Sequence, residues 1–147
     1  MFHVEPFMFN PCLHIIHDDR RLERYEPLME ELRKAGVRNY HVVAATIDKK
    51  TVVENITASF KGIVAWAKEN GLPEVYIGED DLMFSCADGW RYFIDNKPET
   101  KDFDVYIGGN YLVDNRIEYK APLVKVNDWI GNQLIVVSSR YYDTYLS

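Results

Sequence analysis

Cysteine is scarce in this chain, and its scarcity argues against a secreted, disulfide-stabilised domain. Only Cys12 and Cys86 occur among the 147 residues. Cys12 lies within an apolar run that predicts a buried strand, whereas disulfide frameworks are built from several cysteines at regular spacings. We therefore expect no disulfide framework, and the cysteine content predicts a reducing, cytoplasmic setting.

Positive charge is also in short supply. Lys and Arg number 17 against 23 Asp and Glu, which gives a formal net charge of -6. Nucleic acid or an anionic membrane would need a concentrated basic surface on its partner. We expect neither as the main partner, so any phosphate in a ligand must be bound locally, by a metal ion or by a few arginines.

Long apolar runs are absent as well, and none is long enough to span a bilayer. The first ten residues are apolar, but they contain Glu5 and Pro6 and lack a basic leader and a small-residue cleavage site, so no signal peptide is expected. Hydrophobic residues still make up 47% of the chain. That is enough for one core, and a single domain over residues 1–147 is predicted.

The apolar residues that are present alternate with turn residues in an α/β pattern. Buried strands are predicted over residues 12–17, 40–45 and 74–78, and helices after the first strand, over 55–70 and over 88–96. Further strands are predicted over 103–108 and 133–137, separated by a polar excursion over 111–126, and a last helix begins at Ser138. Strands and helices in this alternation predict a parallel, right-handed layout.

The first two helices carry recognisable boundary residues. Asp18 or Asp19 is expected to cap the first helix and Gly36 to end it, while Pro27 predicts a kink or a late start. The second helix has an apolar stripe, which consists of Ile56, Phe60, Ile63, Val64 and Ala67.

Three consecutive acids, Glu79, Asp80 and Asp81, follow the third predicted strand. Ligands of open α/β sheets bind at the carboxyl ends of the strands, so acids there are candidates for a site. Adjacent carboxylates repel one another unless a cation compensates them, and hard oxygen ligands suit magnesium, manganese or calcium. The triplet therefore predicts a divalent-metal site that can bridge the phosphates of a nucleoside diphosphate.

Two other interpretations of the acids stay open at this point. The triplet can simply end a turn in solvent, as short acidic runs often do. Alternatively, Asp18 and Asp19 after the first strand, with Asp81 after the third, match the acidic positions of a response-regulator receiver domain. The segment after Asp81 lacks the expected Pro-Gly type of loop, which disfavours the receiver interpretation.

Several ordered segments resemble glycosyltransferase family 25, which includes bacterial lipopolysaccharide galactosyltransferases and collagen galactosyltransferases. Residues 13–24, LHIIHDDRRLER, look like the opening strand and acidic-basic turn of the family. Residues 36–48 are similar to its second strand, and residues 58–66 to its Ser-His helix, with Phe60 where the family usually has His. Residues 76–81, YIGEDD, resemble its Glu-Asp-Asp strand end.

This resemblance implies a fold, an activity and a set of ligands. The fold would be GT-A-like and Rossmann-like, with a mostly parallel sheet flanked by helices, and truncated at the C-terminus relative to the family. The activity would be metal-dependent transfer of a hexose from a nucleotide sugar, a UDP-hexose, to a glycan acceptor, as in lipopolysaccharide biosynthesis. Manganese or magnesium would be the cofactor.

The resemblance also assigns roles to individual residues. Asp81 would ligate the metal, Glu79 would contact the metal or the ribose, and Asp80 would support them. The nucleotide or its phosphates would be met by residues of the first strand end and the two helices, namely His17, Asp18, Arg20, Arg24 and Ser59.

A transferase that inverts its sugar needs a carboxylate base for the acceptor hydroxyl. The acids available in or beside the polar excursion are Glu118, Asp114 and Asp128, and the sequence does not choose among them. The alternative within the same resemblance is a degenerate domain that binds a sugar nucleotide without transferring the sugar.

Overall fold

A five-stranded sheet forms the centre of the protein. The computed structural model describes residues 10–109, 112–114 and 117–147, the middle range by its backbone alone. In chain order the strands are β1 (Leu13–His17), β2 (Tyr40–Ala44), β3 (Glu74–Glu79), β4 (Val105–Ile107), β5 (Leu112–Asp114), β6 (Ile117–Glu118), β7 (Val124–Lys125), β8 (Asp128–Ile130) and β9 (Leu134–Ser138). The central sheet has the order β2-β1-β3-β9-β4.

Strand direction within this sheet is mixed. β1 pairs in parallel with both β2 and β3, whereas β9 runs antiparallel to its neighbours β3 and β4. Four of the five strands therefore point the same way, which confirms the predicted α/β fold with a mostly parallel sheet. The antiparallel β9 contradicts the receiver-domain interpretation, because a receiver has a parallel strand beside its third strand.

The central strands are apolar on both faces. All five residues of β1 and of β9 are buried. Such continuous burial arises where helices cover both sides of a sheet. The strands predicted from apolar runs accordingly formed within one or two residues of their predicted bounds.

The helix α1 (Tyr25–Ala35) begins later than either Asp18 or Asp19 would allow. A short 3-10 turn precedes it, and no side chain caps its first residues. Pro27 is the third helical residue, where its missing N–H costs no hydrogen bond, so the predicted late start is confirmed and the predicted aspartate cap is wrong. Gly36 ends α1 at φ 77°, as expected for a left-handed cap.

The helix α2 (Val52–Glu69) begins three residues before the predicted start. Thr51 and Glu54 form a reciprocal capping box that fixes this start. Most of the predicted apolar stripe is buried, but Ile56 is 39% exposed and so lies at its margin. Trp66 on the same helix is 45% exposed, and its ring lies against the ring of His14.

Two helix layers cover the sheet. α1 and α3 (Gly89–Asp95) pack on one face, where Leu28, Leu32, Trp90 and Phe93 belong to one apolar cluster. α2 and α4 (Tyr142–Leu146) pack on the other face around Phe60. No helix within residues 10–109 or 117–147 is both long and apolar enough to cross a membrane.

The polar excursion forms two short antiparallel ribbons. β5 pairs with β8, and β6 pairs with β7. Gly108, which follows β4, has no space for a side chain, because a Cβ atom there would lie 2.8 Å from Phe93 and 2.9 Å from Leu134. Close packing of α3 and β9 therefore occupies the space beside this glycine.

Candidate functional site

The carboxyl ends of β1 and β3 bring the predicted site residues together. These strands are parallel neighbours, and Ile16 pairs in register with Glu79. The last residue of β1, His17, and the Asp18 that follows it therefore lie at the same edge of the sheet as Asp80 and Asp81, which follow β3. We call this region the carboxylate edge.

Asp80 is the best-connected acid of the carboxylate edge. Its side chain is buried, with only 7% of the residue exposed. One oxygen, Oδ2, lies 2.9 Å from His17 Nδ1 and accepts a weaker hydrogen bond from the Asp18 backbone N–H at 3.4 Å. The other oxygen, Oδ1, accepts from Arg24 Nη1 at 2.8 Å.

Through these contacts, the Asp80 side chain links three segments of the chain. It joins the end of β3 to the end of β1 and to the residue that precedes α1. A buried carboxylate is stable only when it is paired, and Arg24 and His17 provide that pairing. Both oxygens of Asp80 are thus occupied by protein groups, which leaves the other two acids as candidate metal ligands.

Glu79 and Asp81 differ from Asp80 in having no such partners. Among the described residues, neither carboxylate takes part in a hydrogen bond or an ion pair, and Asp81 is exposed while Glu79 is half-buried. Burial raises the pKa of Glu79, and the charges of Asp81 and Asp80 raise it further, whereas Arg24 opposes them. The two carboxylates therefore lack a direct partner in the described residues, and the charge of Arg24 offsets theirs in part.

Arg24 interacts with the acids of the triplet. It donates to Asp80, and the negative charge of Asp81 is also close enough to raise the pKa of its guanidinium. About a third of its side chain, 34%, is exposed. Neither Glu23 nor Glu30 pairs with it, since these acids pair with Arg21 and Arg33.

Asp18 and Arg20 pair with each other at the turn after β1. The guanidinium of Arg20 donates to both oxygens of Asp18, at 2.9 and 2.7 Å, and the Arg20 backbone N–H donates to the same carboxylate. These hydrogen bonds lower the pKa of Asp18 to about 2. The pair is solvent-accessible, so a phosphate that approached Arg20 would compete with Asp18 for it.

Ser59 lies on the buried side of α2 and uses its hydroxyl within the protein. The hydroxyl donates to the Asn55 carbonyl oxygen at 2.8 Å and accepts from the Thr46 backbone N–H at 2.8 Å. It therefore fixes the chain that leaves β2 against α2. The ligand contact predicted for Ser59 stays a prediction, and the structure gives this serine a packing role.

The candidate bases lie outside the carboxylate edge. Glu118 is on β6 and Asp128 is on β8, and both are exposed. The side chain of Asp114 lies outside the described residues. The structure shows no contact between Glu118 or Asp128 and the triplet, so the choice of base stays open.

A metal ion at the carboxylate edge would have two protein carboxylates available. In the part of the chain that is described, no group of three or more His, Cys, Asp or Glu side chains is placed to hold a metal ion. Magnesium is commonly held by one or two carboxylates, with water and substrate phosphate as its other ligands. Glu79 and Asp81 fit that donor set, while the engaged Asp80 does not.

Two contacts at the carboxylate edge were not anticipated from the sequence. The Tyr25 ring lies against His17, with centroids 5.7 Å apart. Glu31 on α1 accepts a hydrogen bond from the Phe84 backbone N–H at 2.6 Å, which ties down the segment after the triplet. The second contact joins residues 53 positions apart, and the first depends on how the chain turns between β1 and α1, so no local sequence pattern marks either one.

No protein family and no curated protein matches the sequence. Among solved structures, the chain is similar to a glycosyltransferase involved in the glycosylation of the major capsid of PBCV-1, with 16% identity and a TM-score of 0.43. The similarity covers 92% of this chain and 64% of the other, so this chain spans less than two thirds of that structure's length. The resemblance to family 25 stays a prediction.

Proposed function

We propose that this protein is a glycosyltransferase that binds a UDP-hexose with a manganese or magnesium ion and transfers the hexose to a glycan acceptor. The observation that carries the proposal is that the three acids of the triplet differ in their bonding partners. The carboxylate of Asp80 is hydrogen-bonded to His17 and forms an ion pair with Arg24. Glu79 and Asp81 remain as two carboxylates without a hydrogen-bonded or ion-paired partner among the described residues, at the edge of an α/β sheet where ligands bind.

The arrangement suits a diphosphate ligand for electrostatic reasons. Glu79 and Asp81 would hold the cation, which on binding supplies positive charge for the leaving diphosphate. Arg24, held in place by Asp80, presents the exposed part of its guanidinium beside Asp81. A planar guanidinium can donate two parallel hydrogen bonds to a phosphate.

Transfer also requires that the acceptor hydroxyl lose its proton. Glu118 and Asp128 are the candidates for this base, and both residues are exposed to solvent. Binding of the donor and transfer of the sugar are separate properties, so they need separate tests. A domain that binds without transfer would respond to the donor and leave the acceptor unchanged.

Thermal melting tests donor binding directly. We expect manganese and UDP together to raise Tm more than either alone, because ligands that bind the folded state stabilise it. Asp81→Ala should abolish the combined shift. Glu69→Ala, which removes an exposed acid at the end of α2, is the matched control and should keep it.

Two outcomes would contradict the proposal. The first is the absence of any combined shift in the unmodified protein. The second is a shift that survives in both Asp81→Ala and Glu79→Ala, since the cation would then lie elsewhere. Transfer is then measured separately, as release of UDP from UDP-glucose and UDP-galactose with and without glycan acceptors, in Glu118→Gln and Asp128→Asn.

A further inference from the structure

A cavity of about 740 Å³ lies along β4, the edge strand farthest from β2. Its walls are β4 itself, the residues just before β4, the ribbon of β6 and β7, and the start of the last helical segment. Small-molecule sites in proteins commonly have volumes of roughly 300–1,000 Å³. We call this space the β4 cavity.

The β4 cavity is separate from the carboxylate edge. No residue of the acidic triplet lines it. Two of its lining residues, Asp104 and Arg140, lie just before β4 and just after β9, which is the opposite end of the sheet from Glu79. A ligand in this cavity would therefore not occupy the proposed donor site.

The free edge of β4 supplies backbone donors and acceptors to the cavity. The hydrogen bonds to β9 use the Asp104 carbonyl oxygen and the Gly108 N–H. In an antiparallel pair, alternate residues point their N–H and C=O groups to opposite sides of the strand. The polar backbone groups of Val105 and Ile107 consequently point away from β9, and both residues line the cavity.

Aromatic rings form another part of the wall. Tyr119 is 41% exposed, and Trp129 is half-buried. The indole N–H of Trp129 donates to Asn132 Oδ1 at 3.0 Å, which fixes the ring. Exposed rings beside hydrogen-bonding groups suit a ligand that has an apolar face and a polar rim.

The charges in the cavity disfavour an ionic ligand. Arg140 is engaged by Asp104, 2.9 Å away, and by the Lys101 carbonyl oxygen. Lys125 lies over the Tyr119 ring, 4.8 Å from its centroid. The lining thus carries two carboxylates, Asp102 and Asp104, and two cations, so its formal charge is balanced and it offers no excess charge of either sign to an ionic ligand.

We infer that the β4 cavity binds a neutral saccharide. A pyranose ring has an apolar C–H face that packs on Trp129, or on the face of Tyr119 away from Lys125, and a rim of hydroxyls that both donate and accept. The free backbone groups of β4 and the Asp102 carboxylate match that rim. An extended peptide would also pair with β4, but it would make less use of the two rings.

Ligand-detected saturation-transfer NMR tests the inference with a defined panel of saccharides at millimolar concentration. The panel contains lactose, maltose, cellobiose, chitobiose and mannobiose. We expect at least one to bind, and Tyr119→Ala to weaken its binding roughly tenfold, as expected when an aromatic contact is removed. Trp129→Phe, which keeps a ring but loses the anchoring N–H, should weaken it less.

Controls separate this inference from the proposed function. Tyr40→Ala removes a ring of similar exposure, 39%, from the opposite edge of the sheet and should leave saccharide binding unchanged. Asp81→Ala should also leave it unchanged, so the two sites fail independently. The inference is overturned if no saccharide of the panel binds, if binding is insensitive to Tyr119→Ala, or if only an alternating Thr-Val hexapeptide binds.

Discussion

Asp80 differs from its acidic neighbours in what surrounds its carboxylate. It accepts hydrogen bonds on both oxygens and is buried, whereas Asp81 is exposed to solvent. Asp80 follows β3 in a turn, where its side chain is bonded to His17 at the end of β1 and to Arg24 just before α1. One acid of the triplet therefore stabilises the fold, and the other two remain available for a ligand.

This difference predicts unequal costs of truncation. Asp80→Ala should lower the free energy of unfolding by about 2 to 3 kcal/mol, because it removes the acceptor of two side chains and leaves Arg24 without its partner. Asp81→Ala should change it by no more than about 0.5 kcal/mol. Urea denaturation of both variants measures the difference. Equal losses in the free energy of unfolding would show that the contacts of Asp80 do not stabilise the fold.

Glu79 should behave in the opposite way to Asp80. Its charged form is disfavoured by burial and by its acidic neighbours. Glu79→Gln removes that charge, so we expect Tm in the presence of EDTA to rise, and we expect the shift with manganese and UDP to disappear. Glu69→Gln, at an exposed position that forms no ion pair among the described residues, is the control. A Glu79→Gln variant that melts earlier in EDTA would mean that the carboxylate stabilises the fold.

At the scale of elements, Ser59 connects α2 to the chain that leaves β2. Its hydroxyl satisfies the Thr46 backbone N–H. Ser59→Ala should therefore cost about 1 to 2 kcal/mol of stability, with no loss of UDP binding after the change in Tm is taken into account. Thr57→Ala, at an exposed position of the same helix, should cost less than half as much. Loss of UDP binding in Ser59→Ala at unchanged stability would assign the hydroxyl to the ligand instead.

Elements that depend on local chemistry were predictable from the sequence. The buried strands follow continuous apolar runs, and α1 ends where Gly36 adopts a positive φ. The start of α2 was predicted too late because the Thr51 and Glu54 capping box precedes the apolar stripe, and Val52 and Val53 between them are exposed. The direction of β9 could not be predicted, since its apolar run is the same in either direction.

The candidate site shows the same limit. The position of the triplet followed from the parallel order of β1 and β3, which the sequence indicates. The pairing of Asp80 with Arg24 joins residues 56 positions apart and depends on where α1 starts. Pro27 delays that start and so leaves Arg24 just outside the helix, beside the end of β3. Sequence patterns indicate the acidic triplet and the position of Pro27 separately, but they do not show that Arg24 and Asp80 form a pair.

At the scale of the whole molecule, both helix layers share one sheet. Ile15 and Tyr76 face the cluster beneath α1 and α3, while Ile16 and Ile77 face the cluster beneath α2 and α4. If the helices of one layer unfolded, the apolar face of the sheet beneath them would be exposed. The same strands support the helices of the other layer. Small domains built in this way unfold in one cooperative step.

We therefore expect a single unfolding transition in urea. Trp66→Phe combined with Trp129→Phe leaves Trp90 as the only tryptophan, and this residue is buried in the cluster beneath α1 and α3. Its fluorescence should change at the same urea concentration as far-ultraviolet circular dichroism, to which the 18 residues of α2 contribute the most among the described helices. Because the two probes report on opposite faces of the sheet, coincident curves indicate one unit. Separate midpoints would show that one layer can melt while the other remains folded, and the single-domain prediction would then be wrong.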